Sequence, residues 1–168
     1  MAPMTDDVLR DLTVSDGSCR DVNLFGVTRA GAERLLAWIT SQFDSHVGDA
    51  YPSRDQVQPI EAANFAGPMD AGYSVRGIWE RGSTLFDQLQ YYVVPEHEGD
   101  GFVELTFFPQ DIHLAGTVAP LTTWLQNALT VATASGVMVR FENASFDPTW
   151  ARRDDREVII AIGSEGER

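Results

Sequence analysis

Two stretches of alternating apolar and polar residues, 89–94 and 102–108, flank a short segment of Pro, Gly and acidic residues. Their β-branched and aromatic residues are typical of strands, and the segment between them is typical of a hairpin loop. Alternation places every second side chain on the same face of a strand. One face then carries Leu89, Tyr91, Val93, Val103, Leu105 and Phe107, and the hairpin is predicted to bury it.

Two other segments have apolar residues at helical spacing. The first runs from an N-cap at Thr28 to about residue 47 and is followed by Gly48. The second starts at 117 or 118, has Pro120 in its first turn and ends at Gly136. The apolar stripes are Ala32, Leu35, Leu36, Ile39 and Phe43 in the first segment, and Leu121, Leu125, Ala128, Leu129 and Ala132 in the second. Stripes of this width predict two main helices with one buried face each.

Further strands are predicted at 8–14, 19–25, 72–80, 84–94, 137–141 and 156–162. Residues 48–70, which include three prolines, are expected to form a long irregular connection with a short helical turn near 61–65, and such loops often contact ligands or partners. The order ββα-βββ-αββ is typical of an α+β domain. It predicts a mostly antiparallel sheet of about six to seven strands with two helices on one face. The length fits one domain over 1–168, with frayed ends at 1–7 and 164–168.

The charge of the chain indicates more about its function than its hydrophobic content does. Twenty-five acidic residues face twelve arginines and no lysine, for a formal net charge of −13 and a pI near 4.4. The lack of lysine excludes Schiff-base, Walker-type and lysine-base mechanisms. The acidity argues against direct nucleic-acid binding and favours a basic protein partner.

Cysteine content and the absence of apolar runs predict a compartment. The single Cys19 excludes an internal disulfide and is expected to be a small buried hydrophobe, not a nucleophile. No apolar run approaches the roughly 18 residues of a membrane span, and the acidic N-terminus does not resemble a signal peptide. The expected localisation is cytoplasmic.

Sequence motifs for catalysis are missing: there is no GxGxxG, Walker A, HExxH, GxSxG or paired CxxC. Asp111 and His113 form the best candidate pair, and in an extended segment they would share a metal or act as acid and base; otherwise they form a polar strand end. The acidic segment 96–100 lacks the EF-hand pattern. No catalytic residue, metal or cofactor is therefore assigned, and the balance is against an enzyme.

A candidate binding surface comes from the second face of the hairpin. Between residues 82 and 139 there is no arginine, while six acidic residues fall in the same window. The predicted partner-binding residues combine aromatic and acidic side chains: Tyr92, Glu96, Glu98, Asp100, Phe102 and Glu104. Aromatic anchors with neighbouring acids suit a basic protein partner. Alternatively, this face forms a second small core beneath the 48–70 loop.

Three functions fit these observations. The first is a non-enzymatic acidic binding protein that captures or neutralises a basic protein, as an immunity or antitoxin protein does with a nuclease-type toxin. The second is a small-ligand-binding domain or small enzyme with a cavity between sheet and helices, for which the candidate lining residues are Tyr73, Arg76, Trp79, Tyr91 and His113. The third is an oligomer subunit that buries the outward hairpin face against a copy of itself.

Overall fold

The computed structural model describes residues 5–95, 102–142 and 158–163. The helices are α1 (Thr5–Thr13), α2 (Arg29–Thr40), α3 (Ala66–Asp70) and α4 (Ala119–Ala132), with 3₁₀ turns at Glu61–Ala63 and Pro109–Asp111. The strands are β1 (Arg20–Phe25), β2 (Ser45–Ser53), β3 (Gln56–Pro59), β4 (Ser74–Glu80), β5 (Gln88–Val94), β6 (Phe102–Phe107), β7 (Gly136–Phe141) and β8 (Val158–Gly163).

All described strands belong to one antiparallel sheet with the order β3-β2-β4-β5-β6-β1-β7-β8. This confirms the predicted α+β class, although the described residues contain eight strands where six to seven were predicted. The predicted hairpin is β5 and β6, with Tyr91 opposite Leu105 and Val93 opposite Val103. Its apolar face is buried as the alternation predicts.

The strand predicted at 8–14 is wrong, because this segment forms the end of α1 and the residue after it. Asp6 and Asp7 lie in the first turn of the helix and Arg10 in its last turn, which suits the helix dipole, and Asp7 forms an ion pair of 2.9 Å with Arg10. Leu12 is completely buried. Helical spacing from residue 8 to residue 12 therefore prevails over the strand-like composition of the segment.

Residues 45–59 are also more regular than predicted, since they form β2 and β3, and α2 ends at Thr40 instead of near residue 47. The inward positions of β2 include Gly48 and Ala50, which do not produce an apolar pattern. A β-carbon at Gly48, or at Gly77 opposite it, would overlap the hydroxyl of Tyr91. The small residues therefore make room for a large side chain from β5. The turn expected near 61–65 is present as the 3₁₀ helix Glu61–Ala63.

The core lies between the sheet and the layer of α2 and α4. Trp79 from β4 donates a hydrogen bond of 2.9 Å to Thr40 Oγ1 at the end of α2. Trp124 from α4 packs edge-on against Phe86, with ring centroids 5.3 Å apart. The helices thus pack on the face of the sheet that carries Tyr91 and Trp79. Within the described ranges, none of the helices has the length and apolar character needed to cross a membrane.

Candidate partner-binding surface

The face of the sheet opposite α2 and α4 is called the outer face. Strand register aligns one cross-strand row over its width: Asp49, Arg76, Tyr92, Glu104, Asn23, Met138 and Ala161. The row contains two of the residues predicted from the hairpin, Tyr92 and Glu104. It also contains residues from strands that are distant in sequence. The candidate surface is therefore assembled by the sheet and not by the hairpin alone.

Tyr92 is the exposed aromatic residue of this surface. It retains 42% of its accessible surface and packs edge-on against Phe102, with ring centroids 5.8 Å apart. Phe102 and Glu104 are half-buried. The other three predicted residues, Glu96, Glu98 and Asp100, lie outside the described residues. The described part of the prediction is thus a tyrosine that stands out from the sheet beside an aromatic and an acidic neighbour.

Glu104 belongs to a hydrogen-bonded network in the floor of the outer face. Asn23 Nδ2 donates to Glu104 Oε2 at 3.1 Å, and Arg140 Nε donates to Asn23 Oδ1 at 2.9 Å. Asn23 and Arg140 are both buried. Burial raises the pKa of the Glu104 carboxyl, and the hydrogen bond from Asn23 partly opposes this rise. The carboxylate is consequently held in a fixed position, which suits a directional contact with a cationic group.

Asp21 is a second half-buried acid on the same face. It accepts a hydrogen bond of 2.9 Å from the hydroxyl of Thr106, and burial raises its pKa. Sequence reasoning missed Asp21, Asn23 and Arg140, because β1 and β7 are far from the hairpin in sequence. Asn23 and Glu104 are 81 positions apart, so a local pattern carries no signal for their contact.

A cleft of about 430 Å³, called the Arg76 cleft, lies on the outer face, on the side of Tyr92 that faces away from Glu104. It is lined by Tyr51, Pro52, Ser53, Arg54, Gly72, Ser74, Arg76 and Tyr92. The sequence placed part of this cleft in an irregular loop and therefore did not predict it. Tyr92 belongs both to the cleft and to the aromatic–acidic surface, so the two are continuous.

The residues proposed to line a cavity between sheet and helices do not come together. Trp79 and Tyr91 are buried in direct contact, with centroids 4.4 Å apart, and they fill this part of the core with Phe65 and His46. His46 Nε2 lies 2.8 Å from the Tyr91 hydroxyl, and burial lowers the pKa of His46. The other candidates lie apart, with Tyr73 packed at the margin of the core, Arg76 on the outer face and His113 exposed.

Asp111 and His113 do not share a site. Asp111 accepts a hydrogen bond of 3.0 Å from Gln88, whereas His113 Nε2 lies 2.8 Å from a carboxylate oxygen of Asp87. Over the described ranges, no group of three metal-ligating side chains comes together.

Cys19 is buried, as predicted. Burial, together with the negative charges of Asp21 and Glu142, raises the pKa of its thiol to about 12. The sulfur therefore remains protonated near neutral pH and is a poor nucleophile.

Neither the family models nor the curated proteins include a match to this chain. Among solved structures, the chain is similar to one chain of the crystal structure of the toxic C-terminal tip of CdiA from Pseudomonas aeruginosa in complex with immune protein. The TM-score is 0.58 at 14% sequence identity, over 86% of this chain and 94% of the other. At this identity, the likeness establishes a shared fold.

Proposed function

We propose that this protein is a non-enzymatic binding protein that captures a basic protein through the outer face of β5 and β6 and the acidic segment 96–100. The observation that carries the proposal is the exposed Tyr92, which stands beside Phe102 and Glu104 on a hairpin whose own stretch of sequence, residues 82–139, contains no arginine or lysine. A large aromatic anchor next to acidic side chains offers contact area and electrostatic attraction at the same place.

The likeness in fold to a chain of a toxin–immune protein complex supports an immunity-type role for this chain. A toxin of the nuclease type is the class of basic protein that this surface suits best, because such an enzyme carries positive charge to hold its nucleic-acid substrate. An acidic protein would occupy this positive surface and exclude the substrate. Capture would then neutralise the toxin without any chemical reaction.

Affinity capture from the native host tests the proposal. The wild-type chain is immobilised beside Glu96→Arg/Glu98→Arg and beside a control, Asp6→Arg/Asp7→Arg, at low and high salt. Both double variants change the net charge equally, but Asp6 and Asp7 lie in the first turn of α1 and not on the strands that form the outer face. The proposal expects a basic protein that is retained by the wild type and the control at low salt and is lost from the first variant.

The captured protein is then identified and its gene is expressed under an inducible promoter. Growth arrest that co-expression of this chain relieves would support the immunity-type role. Equal loss of capture in both double variants would show that the interaction depends on net charge alone and not on the outer face. Retention of nothing but copies of this chain would instead identify an oligomer subunit.

A further inference from the structure

We propose that the Arg76 cleft binds a carboxylate of the captured protein, either an aspartate or glutamate side chain or its C-terminus. This inference rests on the proposed function and adds a second, oppositely charged contact to it. The cleft's volume of about 430 Å³ lies within the range of small binding pockets. It far exceeds one carboxylate and leaves room for the apolar stem of the side chain.

Arg76 is positioned in advance for such a contact. Its guanidinium carbon lies 4.5 Å from the centroid of the Tyr51 ring, and its Nε donates a hydrogen bond to the Tyr51 hydroxyl. Stacking on a ring restricts the side chain, so less conformational entropy is lost on binding. The guanidinium group has five N–H donors, and those on the terminal nitrogens match the two oxygens of a carboxylate.

The two arginines that line the cleft have no direct ion-pair partner among the described residues. Arg76 lies opposite Asp49 in the strand register, and yet within the described residues neither Arg76 nor Arg54 forms an ion pair. Both arginines are exposed and line the same cleft. Two arginines beside two tyrosines form a cationic, aromatic-walled recess on a protein of net charge −13.

The negative net charge of this protein favours a carboxylate carried by a basic protein over a free small anion. The strongly negative protein repels free small anions, so their affinity for the cleft is low. A basic protein is attracted as a whole, and it can carry one acidic side chain into the cleft while its positive surface meets Glu104. Tyr92 borders both regions, and Tyr and Arg are the residue types that dominate binding energy at protein interfaces.

The test compares Arg76→Gln with the control Arg81→Gln for binding to the captured protein. Arg81 is exposed in the turn after β4 and does not line the cleft. Both variants lose one positive charge, so they differ only in the position of that charge. General electrostatics predicts slightly tighter binding of a basic partner to both variants. The proposal predicts that Arg76→Gln instead weakens binding roughly 10- to 100-fold, mainly through faster dissociation.

Binding of Arg76→Gln that equals or exceeds that of Arg81→Gln would overturn this inference and leave the proposed function intact, provided that Glu96→Arg/Glu98→Arg still abolishes capture. Urea unfolding verifies that both variants are folded. If Arg76→Gln does not fold, Arg54→Gln tests the same cleft.

A titration with benzoate, followed by the arginine Nε–H resonances in NMR spectra, examines the cleft directly. Weak saturable binding that Arg76→Gln removes would support the site, and saturable binding that Arg76→Gln leaves unchanged would refute it. Saturable benzoate binding combined with unchanged partner affinity in Arg76→Gln would overturn the assignment to the partner in favour of a free small carboxylate.

Discussion

Replacing Tyr92 by alanine is the most direct perturbation of the outer face. An aromatic side chain that becomes buried removes roughly 150–250 Å² from water. Tyr92 is already 58% covered in the free protein, since 42% of its surface is exposed, so partner binding has roughly 60–100 Å² left to bury. At about 25 cal/mol per Å², this corresponds to about 1.5–2.5 kcal/mol, or roughly a 10- to 70-fold loss of affinity.

Stability should change less than affinity. The edge-on contact with Phe102 is the ring contact that the substitution removes, and such a pair contributes about 0.5–1.5 kcal/mol to folding. Calorimetric titration with the captured protein measures affinity, and urea unfolding measures stability. Tyr92→Phe is the conservative variant and is expected to retain most of the affinity, because the ring supplies most of the contact area.

Val14→Ala serves as the matched control, because Val14 is an apolar residue with 52% exposure that follows α1 and lies outside the outer face. Its affinity is expected to equal that of the wild type. A folded Tyr92→Ala variant that binds within twofold of the wild type would refute the reasoning, because the exposed ring would then lie outside the interface.

Three further predictions follow from groups whose pKa values or partners the structure defines. Burial raises the pKa of Glu104 above its ordinary value of 4.5, so the folded state holds this proton more tightly than the unfolded state, and the stability due to this group falls as the pH rises through that range. Glu104→Gln keeps an acceptor for Asn23 but does not titrate, so its free energy of unfolding should fall less than that of the wild type as the pH rises above 4.5, while it binds the basic partner more weakly; an unchanged slope of unfolding free energy against pH contradicts this. Tyr91→Phe leaves His46 Nε2 without its 2.8 Å partner and should cost about 1–3 kcal/mol in urea unfolding, whereas a loss below about 0.5 kcal/mol would show that this hydrogen bond is dispensable. Cys19, with a thiol pKa near 12, should react with a disulfide reagent at pH 8 only as fast as the protein unfolds, and rapid reaction in the absence of urea would contradict its burial.

Local patterns sufficed where secondary structure depends on neighbours in sequence. The period of two in β5 and β6 identified the buried face correctly, since the hairpin has a covered side and an open side. The apolar stripes of α2 and α4, with Thr28 as N-cap and Pro120 in the first turn, identified the two main helices. The α+β class follows from these elements and from the strands around them.

Local patterns failed where a distant residue determines the structure. Residues 8–14 are too few to separate a period of two from a period of 3.6, and burial of Leu12 against the rest of the molecule decides for a helix. β2 has no apolar signal at Gly48, because the space that an apolar side chain would fill is taken by Tyr91 from β5. The hydrophobic pattern of β2 cannot indicate that Gly48 is needed there, because this requirement comes from the volume of the Tyr91 side chain on another strand.

The sequence alone determined that this is an acidic α+β protein with an aromatic–acidic hairpin, because composition and short-range periodicity are properties of the chain itself. Tertiary structure decided the contents of the outer face. Strand register brings Asn23 next to Glu104, which is 81 positions away in sequence, and Arg140 next to Asn23, which is 117 positions away. The two hydrogen bonds hold the Glu104 carboxylate of the predicted surface in place. The same register set Arg76 beside Tyr92 and formed a cationic cleft next to the acidic surface. Pairing over such separations depends on the packing of the whole sheet, and for this reason it becomes visible only in the folded molecule.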